Sequence, residues 1–151
     1  MLLARTDKNK KGISTMNKRL IIGSVVGAVV LYVLGIVFWG MLFGEFFADN
    51  AGSATGATRL EAILWAAIVG SLLYGAMLTL ALESRGATAV MDASVVGAVV
   101  GLLLWGTADF ILYANFNLNN LTATIADTVL EGVRAGIAGA VIAVVLGKVG
   151  S

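Results

Sequence analysis

Asp127, Glu131 and Arg134 stand at i, i+4 and i+7 within an otherwise apolar run near the C-terminus. On a helix this spacing puts two acids and a base along one stripe. Another acid, Asp109, lies in a second apolar run with Trp105 and Tyr113 at i−4 and i+4. Charged groups so placed hold protons, bind cations or pair with one another, because a lone charge at the centre of a bilayer costs at least about 2.5–3.5 kcal/mol. Composition removes most other chemistry. The chain has no Cys and no His, hence no thiolate nucleophile, no iron–sulfur ligation and no imidazole for haem, zinc or copper. General acid–base work would fall to carboxylates alone. No catalytic residue, metal site or cofactor is expected, and the chain reads as non-enzymatic.

Four long apolar stretches carry these residues, at 20–43, 60–82, 90–114 and 125–147. Each exceeds the roughly 18–20 residues that cross a hydrocarbon core. With 59% hydrophobic and 13% charged residues and a mean hydropathy of +0.95, the expected class is an all-α membrane protein with four transmembrane helices. Arg5, Lys8, Lys10, Lys11, Lys18 and Arg19 precede the first stretch, Arg85 lies in the middle loop and Lys148 follows the last, while only Arg59 falls in a loop of the other polarity. The positive-inside rule then puts both termini in the cytoplasm of a cell (inner or plasma) membrane, with the 44–59 and 115–124 loops outside. The basic cluster is read as this orientation signal rather than as a nucleic-acid contact. Residues 1–19 are expected to form a disordered cytoplasmic segment, and Met16 would serve as a start as well as Met1. Asp92 reads as a helix-terminal charge favoured by the dipole. Asn120-Leu121-Thr122 fits a glycosylation acceptor with nothing further in its favour.

Residues 24–30 and 94–100 share the heptapeptide SVVGAVV. The same offset of 70 matches Leu34/Leu104, Leu42/Leu112, Phe46/Phe116, Asn50/Asn120, Thr58/Thr128, Leu60/Leu130 and Glu61/Glu131, so 7 + 7 = 14 of the 38 positions from 24 to 61 agree. Internal repeats of this kind govern architecture. The chain is expected to be one membrane domain of two duplicated helical hairpins, 20–82 and 90–147. Each repeat holds an even number of spans, so the copies enter the membrane in parallel, about a pseudo-two-fold axis along the membrane normal. Gly27, Gly97, Gly132, Gly136 and Gly139, in Gly-x-x-x-Gly spacing, are the candidate helix-packing residues. They would serve the bundle itself, partner membrane proteins or a homo-oligomer.

Glu131 has a repeat counterpart in Glu61, whereas Asp109 aligns with Trp39 and Arg134 with Leu64. Acid and base are present together in one half and absent together in the other, which suggests an Asp109–Arg134 pair. Counted from the outer ends of their stretches at 1.5 Å per residue, Asp109 lies about 7–8 Å deep and Glu131 and Arg134 about 9–14 Å. Glu61, Asp109, Glu131 and Arg134 form the candidate polar cluster. Its alternatives are an ion pair that locks the second hairpin and an outward-facing polar cavity. With three acids and one base, the cavity would leave a carboxylate uncompensated or protonated.

The layout of about 150 residues in four spans, with a third span reading GLLLWGTADFILYANFNL, resembles small bacterial and archaeal membrane families of unknown function. That resemblance brings no activity and no site residues. The small multidrug transporters, by contrast, carry an essential carboxylate in their first span, and residues 20–43 contain no acid. The expected function is an accessory or structural membrane subunit, or a helix-packing scaffold. The alternative is a small transporter or proton-linked binding protein that uses the acidic cluster.

Overall fold

A computed structural model describes residues 2–57, 59 and 61–149, with side chains from Met16 onward. The chain is all-helical. Helix α1 (Leu2–Gly35) passes into a π-helical stretch (Ile36–Leu42), followed by the short α2 (Gly44–Asp49), then α3 (Leu64–Arg85), α4 (Val90–Asn115) and α5 (Leu121–Val149). Four segments are long and apolar enough to cross a membrane, Met16–Leu42, Leu64–Arg85, Val90–Asn115 and Leu121–Val149. This is a multi-pass membrane protein.

The ends of the spans follow local chemistry that hydropathy does not register. Residues 16–19, expected to be disordered, are helical. They contain no Pro or Gly to stop the helix, and Arg19 is held by Glu83 of α3 through Nε (3.0 Å) and by the Leu146 carbonyl of α5 (3.1 Å). Residues 1–15 lie outside the described side chains. Helix α3 runs past residue 82 to Arg85, where Gly86 adopts φ 62°. Gly86 N–H donates to Glu83 and Ala87 N–H to Leu82, the paired bonds of a Schellman cap. Helix α5 begins at Leu121 rather than 125 because Asn120 Oδ1 accepts from Ala123 N–H at 3.0 Å, an N-cap bond to the third helical residue. Asp92 lies in the first turn of α4.

Asn120 also joins the two loops at this end of the bundle. Its N–H donates to the Asn50 carbonyl (2.9 Å) and its Nδ2 to Asn50 Oδ1 (2.9 Å), while Gly52 N–H donates to Leu118 and Ala54 N–H to Asn117. Ala51 and Asn119 form an isolated antiparallel bridge. Thr58 and Leu60, two of the repeat identities, lie outside the described residues.

Lipid tails are as apolar as the helices they surround, so association depends on close packing, which small residues allow. Between α1 and α3, a Cβ on Gly27 would stand 2.9 Å from the Gly75 Cα. Between α4 and α5, one on Gly101 would meet the Glu131 carbonyl at 2.6 Å, Gly97, Gly132 and Gly139 face the opposite helix just as closely, and Gly136 is less tight, with the Ser94 carbonyl at 3.2 Å. Helix α5 is central, with eleven buried residues along it, among them Ala135, Ala138, Ile142 and Leu146. Leu31, Tyr74, Leu78 and Ala93 complete the core around it.

Gly75→Val and Gly101→Val are expected to lose about 1–3 kcal/mol each, because backbone cannot retreat from the added atoms. Gly147→Ala, with nothing within 4 Å of its Cβ position, should stay within about 0.5 kcal/mol of the parent. Unfolding in mixed micelles would measure all three, and equal losses would refute the packing argument.

Candidate functional site

Arg134 is the one basic residue in the midst of the spans, thirteen residues into α5, about 20 Å from its start. Helical side chains lean toward the helix N-terminus, so this guanidinium extends toward the loop end of the bundle. There it forms an ion pair with Glu131, one turn back on the same helix. Its Nε donates to the Leu31 carbonyl of α1 at 2.9 Å, and its Cζ lies 5.3 Å from the centre of the Trp39 ring, a cation–π approach. Gly35 lies alongside it: a Cβ there would be at ordinary contact distance, 3.4 Å, from an Arg134 terminal nitrogen.

Trp39 reaches this position from the π-helical stretch, whose wider turn resets the faces of the first span beyond Gly35. Its ring packs near Phe38 and Phe47, and its indole Nε1–H donates to Asp127 Oδ1 at 2.5 Å. Asp127 in turn neighbours Asp109 on α4. The Thr128 hydroxyl lies 3.0 Å from Asp109 Oδ2 and 3.1 Å from the Thr124 carbonyl, so its single proton serves either. Asp109 is 8% exposed and Glu131 2%. A cavity of ≈ 30 Å³ lined by Asp109, Tyr113, Asn119 and Thr124 separates Asp109 from the loops, enough for a water.

The expected Asp109–Arg134 pair is not formed. Asp109 is six residues from the loop end of α4 and Asp127 six from that of α5, each about 9 Å deep, whereas Arg134 is about 20 Å deep. The early start of α5 at Leu121 sets that difference, so Asp109 meets Asp127 while Arg134 takes Glu131. Glu61 does not join the cluster either. It lies in the exposed stretch before α3, which starts only at Leu64. Three of the four candidates, Asp109, Glu131 and Arg134, are thus linked through Asp127, with Trp39 and Thr128 as neutral members. Asp127 was legible as the i−4 member of the Glu131 stripe. Trp39 carried a subtler signal, since the offset of 70 equates it with Asp109 and both residues converge on Asp127.

Among the described residues, three buried polar side-chain atoms have no hydrogen-bond partner: Glu131 Oε2, Tyr74 Oη and Trp105 Nε1. Also among the described residues, no three His, Cys, Asp or Glu side chains are grouped to hold a metal ion. Chemically the cluster can hold protons and tie α1, α4 and α5 together.

Arg134→Met should destabilise by about 3–5 kcal/mol, because it leaves Glu131 buried without a counter-charge. Arg134→Met with Glu131→Leu should recover most of that loss, while Arg134→Met with Asp109→Asn should be closer to additive. A double-mutant cycle on unfolding free energy checks this, and stronger coupling for Asp109 than for Glu131 would restore the pairing suggested by the sequence. No protein-family model, curated protein or solved structure matches this chain.

Proposed function

We propose that this chain is a non-enzymatic integral membrane module, an accessory or structural subunit whose charged cluster is a structural lock. The observation that supports this most is the closure of the cluster on itself. Arg134 is held by Glu131, the Leu31 carbonyl and Trp39, and Asp127 by Trp39 and Asp109. The glycine faces are occupied within the chain, so a protein partner would meet the exposed apolar faces, of which α4 offers the most.

A second reading, a proton-linked binding or transport protein, draws on the carboxyl pair of Asp109 and Asp127, the unpartnered Glu131 Oε2 and the small cavity leading to the loops. Intramembrane carboxyl chains of this kind relay protons in pumps.

The parallel duplication belongs with this proposal. In its favour, repeat-related Asn50 and Asn120 hydrogen-bond to each other, as residues on a two-fold axis would. Against a uniform offset, Glu61 is exposed before α3 while Glu131 is buried within α5. We place the duplication in the SVVGAVV helices and the loops that follow them, with the second helix of each hairpin shifted in register. The cytoplasmic placement of both termini in a cell membrane of a prokaryote is likewise proposed, on the distribution of Lys and Arg.

Native mass spectrometry after gentle extraction from the chain's own membrane should return a defined larger assembly. A lone chain that dissipates a pH gradient in proteoliposomes, and loses this with Glu131→Gln, would overturn the structural reading in favour of the second. Because the chain contains no Cys, single cysteines report orientation without background. In intact cells an impermeant maleimide should label Ala57→Cys in the loop before α3 and spare Thr88→Cys between α3 and α4, and the reverse pattern would invert the topology.

A further inference from the structure

The formal net charge of +1 hides a polarity along the bundle. At the end opposite Asn50 and Asn120, Lys18, Arg19, Arg85 and Lys148 stand against Glu83 and Asp92, a balance of +2. The residues before Met16 add Arg5, Lys8, Lys10 and Lys11 against Asp7 alone. At the loop end Glu45, Asp49 and Glu61 outnumber Arg59, a balance of −2. The two ends therefore present opposite signs to the two faces of a membrane.

Depth decides what the basic end meets. Lys18, Arg85 and Lys148 each lie in the terminal turn of a span, in Met16–Leu42, Leu64–Arg85 and Leu121–Val149 respectively, and all three are exposed. Helix α3 has 22 residues, about 33 Å of helix, and just crosses a hydrocarbon core of about 30 Å. Arg85 at its end thus stands at the level of the lipid headgroups, where long basic side chains lay their methylene stems along acyl chains and keep the charge in the interface. Arg19 holds the same three spans together through Glu83 of α3 and the Leu146 carbonyl of α5, which gathers these cations at one end of α1, α3 and α5. The pairing also takes up Glu83, and among the described residues neither Lys18 nor Arg85 forms an ion pair.

Cations left without a protein counter-charge at headgroup level find their anion in the lipid phosphate. An acidic soluble partner would have to approach from beyond it. Asp92 in the first turn of α4 weakens the attraction on that side. The groove beside Arg19 measures ≈ 60 Å³, well below the roughly 300 Å³ at which small-molecule sites begin, so charge rather than headgroup shape is what this end can read. We propose that the basic end of the bundle gathers anionic lipids around α1, α3 and α5, in one leaflet only. The inference holds for either reading of the buried charged cluster.

The absence of Cys allows a single fluorophore at each end of the full-length protein. Thr88→Cys, in the turn between α3 and α4 beside Arg19, reports the basic end, and Leu121→Cys, the exposed first residue of α5, the loop end. The vesicles are phosphatidylcholine carrying a minor fraction of phosphatidylglycerol, phosphatidylserine or phosphatidylcholine spin-labelled on the acyl chain. Quenching at Thr88→Cys should favour phosphatidylglycerol over phosphatidylcholine by roughly threefold to tenfold, with phosphatidylserine, of equal charge, matching it. No preference is expected at Leu121→Cys. Lys18→Gln, Arg85→Gln and Lys148→Gln together should remove most of the preference, whereas Lys18→Arg, Arg85→Lys and Lys148→Arg together should keep it. Salt raised from about 0.1 to 1 M shortens the Debye length from about 10 to 3 Å and should act like the Gln changes. A preference as large at Leu121→Cys would overturn the proposal, and so would one that survives the Gln changes or the salt. Equal quenching by all three lipids would also overturn it and leave the basic end to an acidic partner outside the bilayer.

Discussion

A guanidinium about 20 Å from the end of an apolar helix cannot be left unsatisfied. Arg carries five N–H donors in a rigid plane and stays charged, so the chain must arrange acceptors around Arg134 wherever it lies. Glu131 supplies the counter-charge, the Leu31 carbonyl a neutral acceptor and the Trp39 ring a polarisable face. Two of these three come from α1, so the demand of one side chain on α5 fixes how the first span meets the last. The π-helical stretch answers the same demand. By turning Trp39 toward α5 it lets one indole serve both Arg134 and Asp127.

This lock works because the helices already lie close together. Along the α4/α5 seam the small residues Ala93, Gly97 and Gly101 face Glu131, Ala135 and Gly139, and such spacing brings backbone near backbone without a hydrophobic driving force. Close approach shortens the distance over which Asp109 must find a partner, and its partner is then at equal depth on the neighbouring helix. At the opposite end of the bundle Arg19 repeats the theme with exposed chemistry, joining Glu83 of α3 and the last turns of α5. That ion pair is partly solvated and is worth little by itself. Its contribution is to hold three helix ends in one place.

The four spans were legible from hydropathy because bilayer thickness sets a minimum run of apolar residues. Their ends were not, since Asn120 as an N-cap and Gly86 as a left-handed C-cap move boundaries by three or four residues without altering hydropathy. That small error carried over to the site. Starting α5 at 125 placed Arg134 near the depth of Asp109, and starting the second span at 60 placed Glu61 inside the membrane. The Asp109–Arg134 pair and the place of Glu61 in the cluster fail for the same reason. Which residues are charged within a membrane can be read from the sequence. Which of them meet depends on depth to within one helical turn, and depth is set by caps and by the π-helical stretch.

The unequal burial of α3 gives the bundle a held side and an open one. From Tyr74 onward α3 is fixed, by Gly75 against α1, by Thr79 packed into the space beside Gly23 and by Glu83 with Arg19. Before Tyr74 its residues include Ala66, Ala67, Gly70 and Ser71, which have too little side chain to reach α1 or α4, and no side-chain cap secures its start at Ile63. Segments with few buried contacts open at lower free energy than the core. The ion pair and hydrogen bonds of the charged lock join α1, α4 and α5 and none of them involves this half-helix, although Arg134 reaches a cleft beside it.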